Sequence, residues 1–121
     1  MLYSIDDKPI TDIPRRRKAD FKAWRDNLVD SDYEEVFDAI NKYVDTVPPD
    51  KPFVSSFIPR AIWGDVPCQP LIDACNQNEE YAGFFFGLIV WKVMIDHKEK
   101  WVFKISDKED DVLGTTYWRR K

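Results

Sequence analysis

The spacing of apolar and polar positions divides this chain into elements. From Tyr81 to Ile95 the only polar side chain is Lys92, so this segment must be covered on nearly every side. Phe, Ile, Val and Trp are strand formers, and FGLIVWKVMI could be a buried central strand. Length decides against that: strands in small domains usually hold about 5–6 residues. Glu79 and Glu80 at one end, with His97 and Lys98 at the other, also suit the dipole of a helix. The pattern predicts a buried helix over residues 79–97. Gly83 and Gly87, four apart, would give it a smooth groove for another backbone.

The remaining elements cover this one. Leu2, Tyr3, Ile5, Ile10 and Ile13 predict a short extended arm over residues 1–13, because Pro9 and Pro14 limit regular structure there. Phe21, Trp24 and Leu28 recur at i, i+3, i+7, which predicts a first helix over 14–28. A second opens at Ser31, where Ser31 and Glu34 match a capping box. It continues through Val36, Phe37, Ile40 and Val44, and Pro48-Pro49 stops it. A short strand is expected at 53–55 and short helices at 57–63 and 70–75. The turn residues Asn76, Gln77 and Asn78 follow. WVFKI and TTYWR at 101–105 and 115–119 predict a β-hairpin around an acidic tip. The expected fold class is therefore α+β: a helix-rich N-terminal part, the buried helix 79–97 and a C-terminal β-hairpin. Its 121 residues form a single domain's worth of chain.

Composition agrees with a globular chain: 44% of residues are hydrophobic, 33% are charged, and eight Phe, five Trp and five Tyr supply buried area. The formal net charge of −4 argues against general polyanion binding, yet the charges are segregated. Residues 14–25 hold six basic groups and one acidic, a net +5; residues 26–50 hold eight acidic groups and one lysine, a net −7. The opposite signs favour pairing of the first two helices. MLYSIDDK carries aspartates where a secretion signal would be basic. The apolar run is also shorter than the ~20 residues of a membrane span. These features lead to the expectation of a cytoplasmic protein without membrane contact.

Candidate chemistry is sparse. Cys68, Cys75 and His97 are too few ligands for a structural zinc site, so no metal and no cofactor is expected. A Cys/His hydrolase would have to bring a cysteine to His97 through the fold, and ranks last among the readings. Asp107, Glu109, Asp110 and Asp111 resemble a calcium loop only in composition. An EF-hand would need Gly where Val112 stands. Arg15, Arg16, Arg17, Lys18, Lys22 and Arg25 form one basic cluster. Arg119, Arg120 and Lys121, beside Tyr117 and Trp118, form another. Brought together, the two would offer phosphate contacts.

From residue 31 to 121, the order helix, strand near Phe53, short helices, longer helix and a hairpin closing in TYWRR is similar to that of winged-helix domains. In that family the helix before the hairpin presents polar residues to the DNA major groove. Here the corresponding helix is FFFGLIVWKVM, with Lys92 its only polar residue, and the wing carries four acidic groups. The resemblance therefore implies a fold turned toward protein contact. The expected function is a non-enzymatic interaction or regulatory module that binds a protein partner. Glu34, Glu35, Asp38 and Asp45, with the acidic wing, would supply the charge, and whichever of Trp63, Trp101 and Trp118 face solvent would be the anchors. The alternative is a nucleic-acid-binding regulator that uses the two basic clusters.

Overall fold

The computed structural model describes residues 1–55, 58, 69–105 and 114–120. Two two-residue strands open the chain, β1 (Leu2–Tyr3) and β2 (Pro9–Ile10), paired antiparallel. Their connection turns at Asp7, whose φ of 69° is left-handed, a conformation that a short Asp side chain tolerates. The arm lies against the body as expected, with Leu2 and Ile13 buried, but Ile5 projects from the turn and is exposed.

The first helix starts later than its apolar spacing implies. Arg15–Arg17 form a 3-10 turn and α1 spans Lys18–Asp26, without a side-chain cap at its start. Next, α2 covers Asp30–Thr46. The Ser31–Glu34 capping box does not form: Val29 is the extended N-cap residue, and the helix has already begun at Asp30. Ser31 thus lies inside the first turn, where it cannot act as the cap. Val36, Ile40 and Val44 are buried at i, i+4, i+8, and the extended Val47 ends the helix before Pro48.

Strand β3 is Phe53–Val54, and α3 is Gln69–Ala74. The predicted helix at 57–63 falls outside the described residues, apart from Ile58, which is fully buried. Asn76 and Gln77 take left-handed φ values of 56° and 66°, and the Asn78 side chain accepts from Tyr81 N at 3.0 Å. This turn and cap launch α4, Glu79–Asp96, so the helical reading of the long apolar run holds. Phe85, Leu88, Ile89, Val90, Val93 and Met94 are fully inaccessible. Phe21 and Trp24 of α1 approach Phe85 with ring centroids at 5.8 and 5.9 Å. Gly87 is buried with its neighbours.

The chain closes with β4 (Trp101–Lys104) and β5 (Thr116–Arg119), an antiparallel pair whose tip lies outside the described residues. The five strands run in the order β2-β1-β4-β5-β3, and β1 pairs parallel to β4. Alternation along each strand separates two faces. Leu2, Phe53, Trp101 and Tyr117 turn inward and are buried; Phe53 stacks on Tyr117 at 5.2 Å, and Phe103 meets Trp91 of α4 at 4.6 Å. The result is an α+β domain, with α4 buried among the other helices and the inner face of the sheet.

Candidate functional site

His97 ends α4 in extended conformation and is buried. Its Nε2 lies 2.8 Å from Asp45 Oδ1, while its Nδ1 accepts both Trp101 Nε1–H and Glu99 N–H at 3.1 Å. Two donors aimed at Nδ1 leave Nε2 to carry the ring proton and donate it to Asp45. Every polar position of the imidazole is occupied by the fold itself. It ties α2, the end of α4 and β4 together.

Cys75 sits at the other end of α4, where its carbonyl accepts from Asn78 N. An 18-residue helix is about 27 Å long, so the Cys75–His97 couple that a hydrolase would need does not form. Cys68 lies outside the described residues, and among the described residues no group of three potential metal ligands occurs. Burial pushes the Cys75 thiol up to about 11. Against an ordinary value of about 8.5, that cuts its thiolate fraction roughly 100-fold or more. Iodoacetamide in mildly alkaline buffer should therefore label Cys75 only after denaturant is added, as peptide mass mapping will show. Equal labelling of folded and unfolded chain would contradict this burial.

The two basic clusters stay apart. Arg17 lies over Phe84 at 4.9 Å, near the start of α4. Arg119 donates to Glu99 Oε2 and to Pro48 O, and stacks over Trp101, just beyond the end of α4. The thirteen residues from Phe84 to His97 correspond to about 20 Å along the helix. Much of the first cluster is matched locally: Arg17 with Asp20, Lys18 with Asp12, Lys22 with Asp26 and Arg25 with Asp30. Lys18 and the Ile13 N–H hold the Asp12 carboxyl below its usual range. Of these pairs, only Arg25–Asp30 links the first two helices, with the Arg25 guanidinium 4.0 Å over Tyr33. Charge pairing between α1 and α2 is thus confined to their junction. Lys121 lies outside the described residues.

The acidic residues of α2 are arranged differently. Glu34, Asp38 and Asp45 recur at i, i+4, i+11 on one stripe, with Glu35 beside it, and all four are exposed. This stripe lies opposite Val36, Ile40 and Val44, so the acidic face points away from the core. Asp45 is the exception in role, since it also holds His97. The wing residues Asp107, Glu109, Asp110 and Asp111 fall outside the described residues. Trp63 does too. Trp101 is no anchor: it is fully buried under Arg119, because its indole closes the core at the His97 junction. Trp118 is half-buried.

One arrangement was not singled out from the sequence. The outer face of the sheet carries Tyr3, Val102 and Trp118 in one row across β1, β4 and β5. Lys100 and Lys104 are in step with Val102 and exposed. Arg120, one residue past β5, lies 4.5 Å over the Tyr3 ring. Period-2 alternation in WVFK and TYWR was the signal that could have separated this face from the core face. Comparison of the chain with protein-family models, with curated proteins and with solved structures finds no match.

Proposed function

We propose that the chain is a non-enzymatic interaction or regulatory module of winged-helix type, which captures a basic protein partner on the outward face of α2. The observation that carries this reading is the exposed stripe of Glu34, Glu35 and Asp38 opposite the buried Val36, Ile40 and Val44. A carboxylate stripe on a rigid helix offers electrostatic complementarity, which sets the association rate and rejects acidic partners. The winged-helix part is supported by the order α2, β3, α3, α4, β4, β5 and by β3 pairing onto β5, with β5 between β3 and β4. The apolar circumference of α4 favours a protein partner over groove reading, because a helix buried in its own core has no polar side to give to DNA. A cytoplasmic setting belongs to the same proposal; among the described residues no helix is long and apolar enough to cross a membrane.

Triple charge reversal, Glu34→Lys with Glu35→Lys and Asp38→Lys, tests the proposal while sparing Asp45 and its bond to His97. Partners retained from host lysate by the unaltered chain, and released by added salt, should be lost ~10-fold or more with the variant. An unchanged set of retained proteins, from a variant with an unchanged circular dichroism spectrum, would remove α2 from the proposal.

The nucleic-acid alternative built on the two terminal clusters is weaker on this geometry. Their carboxylate neighbours and the separation along α4 prevent them from adding into one field.

A further inference from the structure

We propose that the outer face of the sheet is a platform for single-stranded nucleic acid, separate from the α2 face and independent of its role. Three observations converge there. Tyr3 and Trp118 flank Val102 on the strands either side of β4, which sets their backbones about 10 Å apart, two strand spacings. Trp118 can take a base directly, and Tyr3 can take one through, or on displacement of, the Arg120 guanidinium that lies over its ring. Both are only half-buried, in contrast with the inward Trp101 and Tyr117, which are inaccessible.

The charge of this face is opposite to that of the whole chain. Lys100, Lys104 and Arg120 lie on it, and among the described residues neither lysine has a carboxylate partner. Arg120 is bound to Asp7 at 2.7 Å, on the exposed β1–β2 turn at the rim. Its guanidinium already covers the Tyr3 ring, and such a plane can stack on a base or turn to a phosphate. Aromatic rings that accept any base, beside cations that follow the backbone, are the chemistry of single-strand binding. A duplex keeps its base faces stacked and offers the rings nothing. An acidic peptide would satisfy the cations and leave the rings unused.

The test is fluorescence anisotropy of a short labelled oligothymidylate, with the same length of oligouridylate and a duplex of equal length as further arms. Low-salt binding of both single strands is expected, with the duplex at least ~10-fold weaker. Three phosphate contacts should give a log K against log salt slope of about −2. Trp118→Ala and Tyr3→Leu should each weaken binding ~10-fold. Trp118→Phe, which keeps a stacking ring and guards against a folding defect, should stay close to the unaltered chain. Lys100→Gln with Lys104→Gln should flatten the salt slope. No binding at low salt would overturn the proposal. So would duplex binding as tight as single-strand binding, or binding insensitive to both ring substitutions. None of these outcomes bears on the α2 reading, whose variants lie on another element.

Discussion

Replacing His97 with Ala should lower the stability of this domain by about 3 kcal/mol, a large share of the ~5–15 kcal/mol that holds such a domain together. The expectation follows from what the substitution strands. Trp101 is fully inaccessible and its Nε1–H points at His97 Nδ1; without the imidazole this donor is buried and unpaired, at about 1–3 kcal/mol. The Glu99 N–H loses the same acceptor, and a cavity opens beside the indole. His97→Phe separates the two contributions. It fills the space but accepts no hydrogen bond, so it should still cost about 2 kcal/mol. Asp45→Ala removes only the partly exposed partner of Nε2 and should cost under about 1 kcal/mol, because water can replace the carboxylate. Urea titrations of the three variants give the measurement. A His97→Phe midpoint equal to that of the unaltered chain would mean that the buried indole finds another acceptor.

The importance of His97 could not be read from its surroundings in sequence. A histidine at the end of an apolar run is ordinary as a helix C-terminal residue; what sets this one apart is Asp45, 52 residues earlier. Long-range polar pairs leave no local period. The same reason hid the pairing of β1 with β4, since two residues, Leu2 and Tyr3, carry no strand signature until Trp101 and Val102 lie alongside. The hairpin itself was legible, because its aromatic and β-branched runs are long enough to alternate.

Local motifs misled where a neighbour competed. Ser31 and Glu34 have the spacing of a capping box, but Arg25 reaches across to the Leu28 carbonyl and to Asp30. With Asp30 already in helix, the start lies ahead of the serine. Charge composition misled in a similar way. The arginine run looked like a cationic field, and a net charge summed over residues 14–25 omits Asp12, Asp26 and Asp30, each of which pairs with one of its cations. The acidic stripe of α2 was legible as a face because helical spacing alone places Glu34 and Asp38 together, away from the apolar side.

The apolar run that defines the core supplies the second large expected effect. Phe85→Ala should cost about 3–5 kcal/mol, the range for emptying a fully buried aromatic site. Phe85 is inaccessible and touches both Phe21 and Trp24, so its removal leaves two rings of α1 without a floor. Phe84, one residue earlier, is half-buried beneath Arg17. Phe84→Ala should cost less than half as much, because part of its surface already meets water. The contrast tests the helix itself. On a strand, residues 84 and 86 would share one face and 85 the other, and Leu88→Ala would group with Phe84→Ala. On the helix, Phe85 and Leu88 lie three apart and fully inside, so their variants should fall together at the destabilised end of a urea series, with Phe84→Ala well above them. Near-equal midpoints for Phe84→Ala and Phe85→Ala would contradict the packing of α1 onto α4. In that event the basic helix would be free of the core, and its Lys18 and Arg25 would no longer be held beside Asp12 and Asp30.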